Sequence, residues 1–382
     1  MYDVIVVGGG PAGSKTGALL SKDHDVLILE EHGSSGSPAQ CTGLISERAV
    51  ASSGIKPTIL NSLSRARFHF PGGEYIDIDT GSTKAVLIDR TEFDTLMVEK
   101  AMDSGCEIKY GTRYLSHGLR DGGVDVDIGS GTLRSSVIIG ADGHTSKVSA
   151  HVLGYGKPEY VRGLQYDIRR KSDDQDMIEL FFGNCDAPGF FGWAIPFGEH
   201  TRVGLCTSWK YGPPMDYLKN MMSKYGIDGE IVRSYCGKIP MRGVCKTYAD
   251  NLLLVGDAAA HVKAVSGGGV YMGLQAAECA AQTVTDALKE GDLSSRSMSR
   301  YERLWQKRIG KELKNSRRIY KIYSSMTDTE YDRMFPIMNN DSLISDMATV
   351  DIDDPGPAVK RMFRHPVFIA RMLPVVLRAW MR

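Results

Sequence analysis

Three glycines, a carboxylate and a thiol near the start of the chain have types and spacing that could do chemistry. Gly8, Gly10 and Gly13 form a G-x-G-x-x-G run, with Ala12 before the third, directly after the β-branched stretch Val4–Val7. In such a run the first glycine permits a tight turn, the second lets backbone approach a pyrophosphate, and the third lets a helix pack closely. The amides that open the helix then face the phosphates. Glu30 ends the next apolar stretch, DVLILEE, where a carboxylate can accept hydrogen bonds from a ribose diol. Cys41 follows in the loop SPAQCTGLI, beside Thr42 and Gly43. A free cysteine there is either a compact apolar filler or a thiol near a reacting group.

Two later segments narrow the dinucleotide. Val137–Ile139 ends in Gly140-Ala141-Asp142-Gly143, and Leu252–Val255 ends in Gly256-Asp257, followed by Gly267–Gly269 and a long helical run. Asp257 can accept a hydrogen bond from a ribityl hydroxyl, and the Gly269 and Val270 amides open a helix towards a phosphate or a flavin ring edge. Three strand-end loops thus converge on one cofactor. His261, just after GDAAA, falls in the same segment. No second strand-GxGxxG-helix unit follows, because GSGTLR at Gly129 reads as a hairpin turn. The electron donor is then NAD(P)H docking transiently or a small ferredoxin-like carrier.

The elements that must carry these residues follow from length and pattern. A chain of 382 residues exceeds what one core usually organises, so two domains are expected. The fold class is α/β: a Rossmann-like FAD-binding domain from residues 1–62, 85–155 and 250–320, with an inserted antiparallel-sheet substrate domain from 63–84 and 156–249. Residues 321–382 form a helical C-terminal region. Lysine plus arginine equals aspartate plus glutamate at 46 each, which gives no reason to expect a nucleic-acid partner. Cys41, Cys106, Cys185, Cys206, Cys236, Cys245 and Cys279 are scattered, with no Cys-x-x-Cys pair and no metal-site spacing. With an N-terminus that enters a strand at Tyr2 and shows no charged leader, this reads as a cytoplasmic protein with reduced thiols. Cys106, Cys206 and Cys279 read as packing.

In the inserted region, RARFHFPGGEYIDID alternates around a Pro71-Gly72-Gly73 turn, and several short strands follow from Met177. PGFFGWAIPFG crowds bulky apolar groups into a glycine-bounded stretch. Alternation puts Phe191, Trp193 and Ile195 on one face, a candidate ligand wall, with Phe190 and Phe197 on or near the other. Further on, Tyr301, Leu304, Trp305, Ile309, Leu313 and Tyr320 have helical spacing and pack on the nucleotide domain. The tail carries Lys360, Arg361, Arg364, Arg371, Arg378 and Arg382 with Phe363, Phe368, Leu373, Val376 and Trp380, divided into short helices by Pro366 and Pro374. Such a tail either lies in an anionic membrane interface, as a peripheral contact on the inner face of the cell membrane, or caps the substrate channel.

The GxGxxG, GADG and GDAAAH segments, in that order, and the arginine-led helix in DRTEFDTLMVEKA resemble the FAD-dependent superfamily of p-hydroxybenzoate hydroxylase-like enzymes over most of residues 1–320. The resemblance implies FAD, contacted by Arg90 and Asp142, with Tyr114 beside the adenine. PGFFGWAIPFG is similar to the P-x-x-Y-x-W-x-F-P motif of the geranylgeranyl reductase branch; Trp193 and Pro196 match, while Phe191 replaces the tyrosine and Ile195 the phenylalanine. That branch also carries a C-G-E-G or C-A-E-G loop on the flavin's substrate side. Cys41-Thr42-Gly43 matches at the cysteine, is one residue shorter and lacks the acid. The resemblance implies saturation of isolated double bonds in geranylgeranyl chains of archaeal-type ether lipids, by hydride from reduced flavin plus a proton. Cys41 would contact the flavin and supply or relay that proton, since a thiol of pKa roughly 8.5 is mostly protonated at neutral pH. Phe191, Trp193 and Ile195 would line the chain. The rivals are an aromatic hydroxylase or halogenase, whose W-x-W-x-I-P motif FGWAIP partly resembles, and a flavoprotein relay of electrons to a quinone.

Overall fold

The computed structural model describes residues 1–153, 159–241 and 246–381, apart from the side chains of 152, 153, 358, 359 and 379–381. Cys245 and Arg382 lie outside the described residues, as does the side chain of Trp380.

Short runs of Val, Ile and Leu buried on both faces build a parallel sheet. Its core is Tyr2–Val7, flanked by Val26–Leu29 on one side and Thr132–Gly140 on the other, with Leu252–Leu254 beyond the latter and Glu107–Lys109 beyond the former. Gly123–Asp127 pairs antiparallel with Thr132–Gly140 across a turn at residues 128–131, so the Gly129 segment is a hairpin turn. The four parallel strands from Tyr2, Val26, Thr132 and Leu252 point their C-terminal ends to one edge, where open α/β sheets bind ligands. That edge receives the Gly8, Glu30, Asp142 and Asp257 loops.

Two helices cover one face, Pro11–Leu20 and Val270–Glu290. The second buries Ala276, Ala277, Ala280 and Ala281, whose small side chains allow close helix approach. Gly8 adopts φ +106°, and a side chain there would also strike the Ala141 carbonyl. A Cβ on Gly13 would stand 2.0 Å from the Gly8 carbonyl oxygen, so the helix can approach its own loop only through glycine.

The second sheet has seven strands, in the order Glu230–Pro240, Tyr160–Arg169, His200–Ser208, Phe191–Phe197, Met177–Phe182, Arg65–His69 and Tyr75–Asp79. All neighbours are antiparallel except Met177–Phe182 with Arg65–His69, which run parallel. Those two strands are separated by residues 85–155 of the nucleotide domain, so no hairpin forces them antiparallel. Register aligns Tyr235, Gln165, Gly204, Trp193, Leu180, Phe68 and Ile76 in one row across the sheet.

The C-terminal third is helical. Ser295–Trp305 and Lys311–Tyr323 are joined through one wide π turn at Gln306–Gly310 rather than by a break. The tail departs from expectation: Pro366 opens a helix as its first residue, but Pro374 lies inside it, and Pro366–Met381 is one element. An interior proline removes one backbone hydrogen bond, and here the burial of Phe368, Met372 and Val375 on one side offsets that loss.

The Gly13 contact leaves no room for a methyl group. Gly13→Ala is expected to cost about 1–3 kcal/mol by overpacking and to lower the flavin retained per polypeptide, measured by thermal melting and by visible absorbance of the purified protein.

Candidate active site

A continuous cavity of about 740 Å³ runs from the nucleotide loops to the inner face of the seven-stranded sheet, a size typical of cofactor and ligand sites. At the nucleotide end, Gly8, Gly10 and Ala12 line it, and a Cβ on Gly10 would meet nothing within 4 Å. That open space beside a helix N-terminus suits a pyrophosphate. Gly13 is set back from the wall and serves packing alone. Glu30 also lines the cavity; its carboxylate accepts from the Gly9 amide at 2.8 Å and from the His32 amide at 2.9 Å. These bonds hold a buried carboxylate at the mouth of the glycine loop. Tyr114 is buried on the same wall and its hydroxyl meets His117 Nδ1 at 2.6 Å.

Asp142 reaches the cavity, but its carboxylate serves the backbone. It accepts from Ser146 Oγ at 2.5 Å and from the Lys147 and Val148 amides at 2.7 and 3.1 Å, so it caps the helix Lys147–Leu153. Asp257 is different. Among the described residues, no side chain or amide donates to its carboxylate, which stands near the glycine turn that precedes Val270. Burial pushes it up to about 6, against the opposing pull of Arg90. An enclosed acceptor aimed at Gly269 and Val270, both on the cavity wall, fits a flavin's ribityl hydroxyls.

Arg90 opens the helix Arg90–Asp103 and is held by Asp94, with Nε and Nη2 each 3.0 Å from a carboxylate oxygen. Burial pulls Arg90 down, but Asp94 and then Cys41 outweigh it and keep it above the ordinary arginine value.

The loop around Cys41 is clamped onto the sheet. Gln165 Nε2 donates to the Cys41 carbonyl at 3.2 Å, Arg202 Nη1 donates to the Thr42 carbonyl, and the Gly43 amide points at Cys41 Sγ at 3.4 Å. Gly43 adopts φ +79° against the Ile88 carbonyl and lies off the cavity wall, whereas Cys41 and Thr42 face it. Arg202 is itself fixed by Asp167, at 2.7 and 2.9 Å, and by Tyr235 at 3.2 Å. The Tyr235 hydroxyl in turn donates to Asp167 at 2.7 Å.

Beyond this clamp the cavity becomes apolar. Phe191, Trp193 and Ile195 line it as alternation predicts, joined by Phe68, Ile178 and Leu180 from neighbouring strands. Phe190 does not turn away. It precedes the strand, stacks on Phe191 at 4.4 Å and lines the same cavity, and Phe197, which shares the parity of Phe191, belongs to the same cluster. Cys206 is buried as expected but also lines the cavity, where burial and then Cys41 push its thiol up. His261 leaves the site altogether. It is fully buried 4.8 Å from the Trp305 ring, with both ring nitrogens unpartnered among the described residues, and burial holds it neutral, with a pKa of about 3.

The first 160 residues match the FAD binding domain family. A digeranylgeranylglycerophospholipid reductase of Methanothrix thermoacetophila is 30% identical across 87% of this chain and 90% of its own. Digeranylgeranylglycerophospholipid reductase 2 of Methanopyrus kandleri is 30% identical across 90% of this chain and 92% of its own. The chain belongs to the digeranylgeranylglycerophospholipid reductase family. FAD is its cofactor. Among solved structures, a geranylgeranyl bacteriochlorophyll reductase-like protein of Thermoplasma acidophilum shares the fold at TM-score 0.85 and 22% identity, over 98% of this chain and 99% of that one. The FAD complex of the halogenase PltM shares it at TM-score 0.69 and 14% identity, over 100% and 96%.

Sequence reading missed the Arg202–Asp167–Tyr235 clamp, because its members are far apart in the chain and meet only through strand register. It also missed the wall supplied by Met347, Val350 and Ile352, which precede the basic tail and close the cavity from the C-terminal side. Among the described residues, none beyond residue 360 lines the cavity, so the tail is not the cap over the channel that the sequence allows.

A carboxyl raised above its unfolded value favours the fold only while protonated. For Asp257 that contribution is present at acid pH and is lost as pH rises from about 4, the unfolded value, to about 6. Asp257→Asn removes the ionised form. It is expected to raise the thermal midpoint of the FAD-free protein near neutral pH, with the gain disappearing below about pH 4, while FAD binding measured by fluorescence quenching weakens.

Proposed function

We propose that this chain saturates isolated double bonds in the geranylgeranyl chains of archaeal-type ether lipids. The observation that carries the reading is the continuity of one cavity, from the flavin loops past the clamped Cys41 to an apolar trough of Phe191, Trp193, Ile195, Leu180 and Phe68. FAD, once reduced by NAD(P)H or a ferredoxin-like carrier, supplies the hydride equivalent. The protein's own task is to lay an unpolarised alkene beside it, keep water out, and deliver a proton to the second carbon.

Gly8, Gly10, Ala12 and the Val270 helix N-terminus hold the phosphates. Gly13 lets the first helix close on its loop, and Gly43 shapes the turn after Cys41. Glu30 takes the ribose diol, Tyr114 flanks the adenine, and Asp142 keeps its loop in place through the helix cap. Asp257 and Gly269 take the ribityl end, and Arg90 with Thr42 borders the ring. Cys41 is the proton donor or relay. Its loop carbonyls are fixed by Gln165 and Arg202, so the thiol is presented without rotation of its backbone. Residues 1–62, 85–155 and 250–320 thus bind cofactor and 63–84 and 156–249 bind the chain, while 321–382 form the helical C-terminal region, of which Met347, Val350, Ile352 and Asp353 close the cavity.

The enzyme works in the cytoplasm, on the inner face of the membrane. No helix among the described residues is long and apolar enough to cross a bilayer. The last helix, however, buries Phe368, Met372 and Val375 and leaves Ile369, Leu373 and Leu377 exposed at i, i+4 and i+8, with Arg364 and Arg371 exposed nearby. A cationic, apolar helix face suits an anionic lipid interface.

The reading is tested by anaerobic single turnover: chemically reduced enzyme is mixed with a geranylgeranylated glycerolipid, flavin reoxidation is followed by absorbance, and the lipid is weighed by mass spectrometry. Reoxidation matched by hydrogen gain in the chain is expected, and Cys41→Ser is expected to slow it by about 10²-fold or more. A flavin that stays reduced until oxygen enters, with the lipid unchanged, would instead point to an oxygen-using hydroxylase.

For the membrane face, Leu373→Glu with Leu377→Glu is expected to abolish co-sedimentation with anionic lipid vesicles and to leave turnover of detergent-dispersed lipid unchanged. Undiminished sedimentation would remove this helix from the membrane contact.

A further inference from the structure

Lys263 is a buried cation on the wall of the cavity that none of the roles above uses. Its side chain is 5% exposed and its partner Asp353 4%, with Nζ 2.8 Å from Oδ1. Nζ also donates to the Ile352 carbonyl, and Ser46 Oγ donates to the other Asp353 oxygen. Three distant segments therefore meet at one ion pair: the turn that carries Gly267–Gly269, the start of the helix Glu47–Ser53 just beyond the Cys41 loop, and the C-terminal wall.

The turn is rigid around the lysine. Lys263 exchanges backbone hydrogen bonds with Gly267 and Gly268, and its Cε would lie 3.0 Å from a Cβ on Gly268. The turn is tied to the helix Lys311–Tyr323 as well, since the Val265 amide donates to Ser316 Oγ at 2.9 Å and Tyr323 donates to the Val265 carbonyl at 3.1 Å. The wall has fewer anchors. Asp351 accepts from Arg48 at 2.7 Å, but that pair is half exposed and contributes little once screened by solvent. Met347 is also held by the C-terminal apolar cluster, and Asp346 beside it by Arg361 at 3.1 Å, so Val350 and Ile352 are the wall residues whose position over the cavity depends most on Asp353.

We propose that the Lys263–Asp353 pair is a positioning bracket that sets the C-terminal wall of the substrate cavity, and with it the length of isoprenoid chain the enzyme accepts. Lys263 acts through Ile352 and Asp353, not on the reacting atoms. A buried pair suits this task because breaking it strands a charge, so the wall has one well-defined seat. The inference rests on the reductase reading for its substrate, but the bracket itself is testable without turnover.

The test uses the FAD-loaded full chain and three variants: Lys263→Met, Asp353→Asn, and Lys263→Met with Asp353→Leu, which replaces the pair by apolar groups. Hydrogen–deuterium exchange over residues 346–353 reads the wall directly. Each single variant is expected to speed exchange there by about tenfold or more, and the double variant to recover most of the protection. In steady-state assays, the single variants are expected to raise KM for a geranylgeranyl lipid by about tenfold with kcat changed less than about threefold, and to narrow the preference over a farnesyl lipid. Unchanged exchange in both single variants would overturn the bracket. A collapse of kcat at unchanged KM would also overturn it, making Lys263 a residue that touches the reacting groups. If wild type reduces neither lipid, the reductase reading fails, and the exchange measurement still decides whether the pair holds the wall.

Discussion

The structure depends on keeping one guanidinium out of water. Arg202 lies in the centre of the seven-stranded sheet, and a buried arginine is tolerable only when its donors are met. Asp167 takes two of them, Tyr235 a third and the Thr42 carbonyl a fourth. The first two partners belong to the sheet, whereas Thr42 belongs to the loop that leaves the nucleotide strands. The two halves of the molecule are therefore joined by a desolvated charge, whose geometry is much stricter than that of an apolar contact. Cys41 inherits that strictness from its neighbour.

Charge falls away from this point in an ordered manner. Around Cys41 stand Arg90 and Arg202, each tied to its own carboxylate. One row of the sheet then passes from Tyr235 and Gln165, through Gly204, to Trp193, Leu180, Phe68 and Ile76. Polar groups gather around Cys41, and apolar side chains line the cavity further along the row. Gln165 Oε1 and Trp193 Nε1, on either side of Gly204, are buried without partners among the described residues, and they mark the border between the two environments.

Features written in consecutive residues were legible from the chain alone. The glycine run, the acid after the second strand and the strand-end loops at Asp142 and Asp257 are local, because a turn and a helix start need particular residues at fixed offsets. The face shared by Phe191, Trp193 and Ile195 was readable for the same reason, since alternation has period two. Phe190 was misplaced because alternation does not extend past the end of a strand. The Arg202 clamp and the Lys263–Asp353 pair left no local trace. Each joins residues tens of positions apart, and an arginine, an aspartate or a lysine in a strand or turn looks the same whether it meets a partner or solvent. The helix cap formed by Asp142 shows the converse: the residue was identifiable, but its oxygens find their donors only once the following turn and helix have formed.

The parallel pairing of Arg65–His69 with Met177–Phe182, and of Thr132–Gly140 with Leu252–Leu254, has a consequence for how the chain comes into being. The two sheets interleave in sequence, so the parallel sheet begun at Tyr2 receives Leu252–Leu254 only after all seven strands of the second sheet have been made. A nascent chain that has emerged to residue 200 holds its first glycine loop and most of its parallel strands, yet lacks the strand that brings Asp257. Long-range pairings of this kind fold slowly and expose unpaired edges meanwhile. The last parts to arrive, the glycine turn at Gly267–Gly269 and the C-terminal wall, are those that close the cavity, so cofactor capture becomes a late event in biosynthesis.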